Sequence, residues 1–395
     1  MANQIHLIVY NLRFIYPRRD HSFFLAMNDF FLKVKILAEF WRIISRGKSI
    51  GDFILARPVQ EFEKRFAEYC GTKYALGVAS GTDALILSLK ALDIGHGDEV
   101  IVPSVSFFST AGAVAWVGAR PVFVDVDLQT YNIDASKIEG AITTKTKAII
   151  PAHLNGRTAD MDQIMQIARQ KSLKVIADAS HAAGSKYKNC PIGALGDIAC
   201  LSLNVTKTLG GYGDGGVVLT NNLELAEKIK RLRTYGALYW KDIHSRNELI
   251  GVASRLDVFQ ASALNEKLFF LDSFIRQQRK NYYFYQDALR GIAGLAFPEE
   301  HSDYFINGYR LPVLTAQRDE LLNFLAERGE MLYNWYPVPL PYLPAFHNLG
   351  YKKGDFPAAE KIAQECLILP TIHSLPEAKI KRITNLIKHY FVSHD

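Results

Sequence analysis

A single lysine, Lys207, stands within the stretch Ser202-Leu-Asn-Val-Thr-Lys207-Thr-Leu-Gly-Gly-Tyr-Gly-Asp-Gly-Gly216. An apolar run precedes it and a glycine-rich turn follows. Glycines this dense let backbone pass close to another group and take positive φ at no steric cost. An amine held there is a candidate nucleophile once desolvation or a nearby cation lowers its proton affinity. Read alone, it is equally a solvated lysine on a surface loop. Other residues weigh on that choice. Asp178 ends the apolar run Lys174-Val-Ile-Ala-Asp178, where a carboxylate is costly unless paired. Ser80-Gly-Thr82 opens a helix after the run Tyr74-Ala-Leu-Gly-Val78. First-turn amides carry the positive end of the helix dipole and suit an anion. A plain N-cap by Ser80, Thr82 or Asp83 fits the same residues. No Gly-Lys-Ser/Thr follows, which excludes a Walker loop.

Together these types describe one ligand. Asp178 would pair with a protonated pyridine nitrogen, and Lys207 would bond an aldehyde. Ser80, Gly81, Thr82 and Ser202 would hold a phosphate, and Phe107 would lie flat on a ring. An aldehyde, a pyridine and a phosphate make pyridoxal 5′-phosphate, whose lysine and aspartate partners recur in proteins.

The elements that must position these groups alternate. Strands are expected at 74–78, 99–102, 121–125, 148–152, 174–178 and 198–203, with Val217-Val-Leu219 as a further apolar run. Helices are expected from about 82 to 92, at 109–117 and at 159–170. Near-continuous apolar strands between helices predict a mostly parallel sheet covered on both faces, an α/β fold. In such sheets ligands sit beyond the carboxyl ends of the strands. Ser80 to Thr82, Phe107, His153, Asp178 and Lys207 all follow strands at that end. From residue 222 the chain reads as helical, with a long helix from Arg255 to about 291. The last third mixes short strands such as Arg310–Leu314 with helices at 317–328, 357–366 and 376–391. This organisation predicts a 1–36 extension, a large α/β domain over 37–270, and a smaller α+β domain over 271–395.

At 395 residues and 49% hydrophobic, the chain can bury a sizeable core. A net charge of +6, spread without long runs, favours an anionic small molecule over nucleic acid. The four cysteines have no CxxC spacing or neighbouring histidines, so neither a disulfide scaffold nor a metal site is expected, and a reduced cytoplasm is. Ile5–Tyr10 is apolar but soon interrupted by Arg13, Arg18 and Arg19, unlike a standard signal peptide. Phe23, Phe24, Leu25, Phe30, Phe31 and Leu32, with Lys33 and Lys35, predict an amphipathic helix. It either packs on the body of the protein or touches a membrane surface.

The sequence resembles the DegT/DnrJ/EryC1/StrS family of pyridoxal-phosphate sugar aminotransferases from about residue 37 to its end. The resemblance rests on ordered motifs. They are Phe62-Glu63 with Ser80-Gly-Thr-Asp-Ala84; Val102-Pro with Phe107; Pro121-Val-Phe-Val-Asp-Val-Asp127; Thr130-Tyr-Asn-Ile-Asp134; and Ala159-Asp-Met161. Asp178-Ala-Ser-His181, Ser202 with Thr206-Lys207, and Gly213-Asp-Gly-Gly216 follow. Arg255-Leu with Gln260-Ala261, and Tyr336-Pro-Val-Pro339 with Gly354-Asp-Phe-Pro357, complete the set. The resemblance implies a fold-type I homodimer with a seven-stranded sheet and active sites shared between subunits. It implies Lys207 as the Schiff-base lysine, Asp178 on the pyridine nitrogen and Phe107 on the ring. Gly81, Thr82 and Ser202 would bind phosphate, with His181 near the ring oxygen. An amino acid, glutamate, would donate its amine to a nucleotide-diphosphate-linked keto sugar of a surface polysaccharide or natural product. Tyr212, Trp335 and Tyr336 are expected to line the substrate pocket. A cyclitol aminotransferase, a sugar dehydratase and a non-catalytic regulatory member are the alternatives, though the dehydratases carry histidine where Lys207 stands. The sequence departs from the family pattern at Ala253, where Asn is usual, at Trp335, where His is usual, and at Pro341.

Overall fold

The computed structural model describes residues 21–238 and 242–394. The expected features of residues 1–20 lie outside the described residues.

Seven strands form the central sheet: β1 (Tyr74–Val78), β2 (Glu99–Pro103), β3 (Arg120–Val124), β4 (Thr146–Ile149), β5 (Lys174–Asp178), β6 (Ile198–Ser202) and β7 (Gly216–Thr220). Their order is β1-β7-β6-β5-β4-β2-β3. All run parallel except β7, which is antiparallel to both neighbours. The expected mostly parallel α/β sheet is therefore the observed one. Along each strand side chains alternate between faces, and both faces are covered. Ile176, Ile198, Cys200 and Val218 share a core with helices α3 (Gly81–Ala91), α4 (Phe108–Trp116) and α6 (Leu223–Leu232). Ala177, Ala199, Leu201, Val217 and Leu219 turn the other way, toward α2 (Arg57–Cys70) and α7 (Val258–Leu289). Val175, Ile149 and Ile101 pack on α5 (Met161–Lys171).

This double cover explains why the strands read as unbroken apolar runs. It also leaves their carboxyl ends as the place where polar groups can gather. The bridge Ala152–Asp178 and the pair Asp178–Cys200 set Asp178 between two neighbouring strand ends. Gly216 sits between Val78 and Ser202.

A second core lies beyond the sheet. It joins β8 (Leu311–Leu314), β9 (Cys366–Leu369), α8 (Arg318–Glu327) and α10 (Glu377–His394), with α9 (Pro357–Glu365) leading into β9. Helix α7 belongs to both cores. Leu264, Leu268, Leu271 and Ile275 pack on the sheet, and Tyr282, Tyr285 and Leu289 pack on the second core. The boundary expected at 270/271 thus falls inside one continuous helix, and the change of core comes between Ile275 and Tyr282. Likewise, the boundary at 36/37 falls inside helix α1 (His21–Arg46). Leu32 and Ile36 of α1 are buried against Ala263, and Phe40 meets Phe259 edge-on at 5.3 Å. Among the described residues no helix is long and apolar enough to cross a membrane.

Candidate active site

A cavity of about 280 Å³ opens at the carboxyl ends of β1, β5 and β6. Ser80, Gly81, Thr82, Phe107, Asp178, His181, Ser202, Lys207 and Trp335 all line it, so residues far apart in sequence converge. Of the expected pocket residues, Tyr212 and Tyr336 do not. Tyr212 is 49% exposed, with the Lys267 ammonium 4.1 Å from its ring centre. Tyr336 is half-buried next to Trp335, and its buried hydroxyl finds no partner among the described residues.

The Ser80–Thr82 turn does both things its sequence allowed. Ser80 Oγ accepts from the Asp83 N–H at 3.0 Å, which caps α3. The amides of Gly81 and Thr82 take no protein partner among the described residues, so they remain available to an anion. Two glycines make this turn possible. A Cβ on Gly81 would lie 2.8 Å from Ser202 Cβ, and one on Gly216 would collide with the Ser80 carbonyl. The turn is therefore pressed against β6 and β7, which brings Ser202 to the same end of the cavity.

Asp178 is 7% exposed. Its Oδ2 accepts from Thr110 Oγ1 at 2.8 Å and its Oδ1 from the Ser180 N–H at 3.2 Å. Thr110 in turn meets Ser106 at 2.7 Å. Among the described residues no cation forms an ion pair with this carboxylate. A buried carboxylate held by hydrogen bonds, with no cation at ion-pair distance among the described residues, fits a protonated ring nitrogen. Phe107, 58% exposed, stands at the N-terminal end of α4 on the cavity wall and offers a ring face to the cavity.

Lys207 is presented by a turn built on Asn204. The Asn204 carbonyl accepts the Lys207 N–H at 2.9 Å, and its Oδ1 accepts the Thr206 N–H at 3.0 Å. Asn204 Nδ2 is anchored on Asp214 at 2.8 Å. Burial draws the Lys207 ammonium down to about 8, with Arg310 adding to the shift and Asp178 opposing it. His181 is pushed well below the usual histidine range by burial, then by Lys207 and Arg310. Its Nδ1 accepts from the Asn155 N–H at 3.4 Å, so the neutral ring carries its proton on Nε2.

Ser106, Thr110, Asn204, Asn307 and Arg310 were not singled out by the sequence. Asn307 is fully buried and donates to the carbonyls of His181 and Ala183 at 2.9 and 3.0 Å. It thereby fixes the segment leading to Tyr309, whose ring lies 4.8 Å from that of His181. The Asn307-Gly308 dipeptide is a turn signal that could have marked this segment. A hydroxyl such as Thr110 carries no comparable mark.

The chain is similar to known proteins over most of its length. Residues 42–388 match the model of the DegT/DnrJ/EryC1/StrS aminotransferase family. A pleiotropic regulatory protein of Geobacillus stearothermophilus is 40% identical, covering 89% of this chain and 95% of the relative. A UDP-N-acetyl-3-dehydro-alpha-D-glucosamine 3-aminotransferase of Acidithiobacillus ferrooxidans is 39% identical, covering 87% and 91%. S. venezuelae DesV, solved in complex with a ketimine intermediate, superposes with a TM-score of 0.87 at 35% identity, covering 91% and 95%.

Proposed function

The chain belongs to the DegT/DnrJ/EryC1/StrS aminotransferase family, and from that membership we propose that it moves an amino group from L-glutamate to a nucleotide-diphosphate-linked keto sugar. It is a pyridoxal-phosphate enzyme, a sugar aminotransferase. The product would serve a surface polysaccharide or a natural-product sugar, made in the cytoplasm. The observation that carries the residue assignment is the Asp178 carboxylate, with no ion-pair partner among the described residues, facing the same cavity as the Lys207 amine, whose ammonium burial draws down to about 8.

The residues divide the work. The free amides of Gly81 and Thr82, with Ser202, hold the cofactor phosphate. Phe107 would cover one ring face, and Asp178 would keep the pyridine nitrogen protonated. Thr110 and Ser180 hold that carboxylate in place. Bound there, the cofactor supplies an electron sink for breaking the donor's Cα–H bond. Lys207 Nζ takes that proton and returns it, which an amine poised near 8 does at neutral pH far better than one near 10.5. His181, neutral with its proton on Nε2, would be the donor for the cofactor's ring oxygen. Trp335 forms the substrate side of the cavity.

The exposed side chains Phe30, Val34, Leu37, Trp41 and Ile44 form one stripe of α1, opposite its packed face. Such a stripe supports a second copy of the chain covering it, as the expected homodimer would require. The Geobacillus relative bears a regulatory name. The retained lysine and carboxylate favour an enzyme here.

The test is direct. Mixing the holoprotein with L-glutamate should shift its visible absorbance band. A panel of nucleotide-linked keto sugars should then yield an amino sugar detected by mass. A band indifferent to every amino acid would remove the reading.

A further inference from the structure

Arg310 sets itself apart from the other cations around the cavity. Its guanidinium carbon lies 3.3 Å from the ring centre of Trp335 and 4.9 Å from that of Tyr309. Its only hydrogen bond among the described residues is made by the backbone, from the Arg310 N–H to Thr371 Oγ1 at 2.7 Å. No carboxylate of the described residues pairs with the side chain. The guanidinium is half-buried and stays charged. It is close enough to Lys207 and His181 to lower the proton affinity of both.

The backbone is shaped for this placement. Arg310 has φ +61°, in the left-handed region that non-glycine residues seldom enter. Thr371 holds it there, donating in turn to the Gly308 carbonyl at 2.6 Å. Asn307 Oδ1 accepts from the Tyr309 N–H at 2.9 Å. A strained position, fixed from both sides, thus holds a cation with no carboxylate partner among the described residues against Trp335, which lines the cavity. Two aromatic faces keep the guanidinium flat. A flat fork with free N–H groups matches a carboxylate through two parallel hydrogen bonds.

The geometry points to Arg310 as a carboxylate-binding residue of the substrate pocket, taking the α-carboxylate of the amino-acid donor. This rests on the aminotransferase reading above. The donor carboxylate is bonded directly to the carbon at which Lys207 acts, so a cation near Lys207 meets it first. A diphosphate stands a whole sugar ring away from that carbon. A carboxylate on the acceptor sugar is the other source of the same chemistry, and the experiment separates the two. Trp335 then serves as the platform that orients the guanidinium.

The test uses the holoenzyme with Arg310→Gln and Arg310→Lys. Donor KM is read from the absorbance shift with L-glutamate. Acceptor KM is read with a neutral keto sugar and with one bearing a carboxylate. Binding of glutarate, an unreactive dicarboxylate, is read by calorimetry. The expected result is a glutamate KM raised about 30-fold or more in the Gln variant. The Lys variant recovers part of that loss. Glutarate binding weakens in parallel, and the KM of the neutral sugar stays unchanged. A loss confined to the carboxylate-bearing sugar would overturn the donor assignment in favour of the acceptor. Unchanged glutamate KM and glutarate affinity would overturn the site itself. If the wild type reacts with no amino acid, the aminotransferase reading falls. The glutarate titration of wild type against Arg310→Gln then still decides whether Arg310 binds a carboxylate.

Discussion

The floor and the far wall of the cavity are built in opposite ways. The floor comes from the ends of β1, β5 and β6, and its polar groups are tied to regular structure. Ser80 caps a helix, Asp178 ends a strand, and Asn204 braces the Lys207 turn. The wall is formed by Trp335, backed by irregular chain around Asn307–Arg310. Its residues take left-handed backbone, stack aromatic on cation and leave charge unmatched. The difference separates two tasks. On the proposed function, a cofactor that is always the same would be held by elements that follow from the fold. Substrates would be met by loops free to change without disturbing the sheet.

Four experiments bear on that division, in falling order of expected effect. Lys207→Ala on the floor should lower turnover by about 10⁴-fold or more, because it removes both the covalent anchor and the proton carrier. Turnover within tenfold of wild type would return Lys207 to an ordinary surface role.

The pH dependence of cofactor uptake by the apoprotein comes next. Bonding an aldehyde needs the neutral amine. Burial draws Lys207 down to about 8, so the uptake rate should rise about tenfold per pH unit below 8 and level off above it. A rate still climbing toward pH 10 would place the amine in open water and undo the contrast between the floor and an exposed loop.

Gly81→Ala sharpens the phosphate end. Its Cβ would come 2.8 Å from Ser202 Cβ, forcing the turn away from β6. Cofactor affinity, measured by equilibrium dialysis, should fall about tenfold, as when one good charge-assisted hydrogen bond is lost. The same substitution should leave a calorimetric glutarate signal at Arg310 in place.

Thr110→Val has the smallest effect. It removes the 2.8 Å donor to Asp178 while keeping the shape. Cofactor retention should drop about threefold to tenfold, the worth of one buried hydrogen bond. The pH dependence of uptake should stay where Lys207 sets it.

The same contrast decided what could be read from the sequence. Strand β1 falls at 74–78 as expected, and β5 ends at Asp178 as expected. Both are written in local apolar runs bounded by turn residues. The Lys207 loop is marked by its glycines. Thr110 escaped because its partner is 68 residues away and hydroxyls are common on helices. Arg310 escaped because its meaning comes from Trp335, which only the tertiary structure sets beneath it. Strand β9 escaped because Cys366–Leu369 follows α9 with no turn residue between them. Tyr212 and Tyr336 were placed in the pocket by resemblance, and the structure sets one outside its lining and the other next to Trp335.

The central claim is that the amine of Lys207 and the carboxylate of Asp178 address one bound cofactor. Borohydride treatment of the holoprotein, followed by digestion and mass mapping of peptides, tests it most directly. The account predicts a pyridoxyl label on Lys207 and on no other lysine, in a yield that falls in the Asp178→Ala protein. A label on another lysine, or full labelling without Asp178, would contradict it.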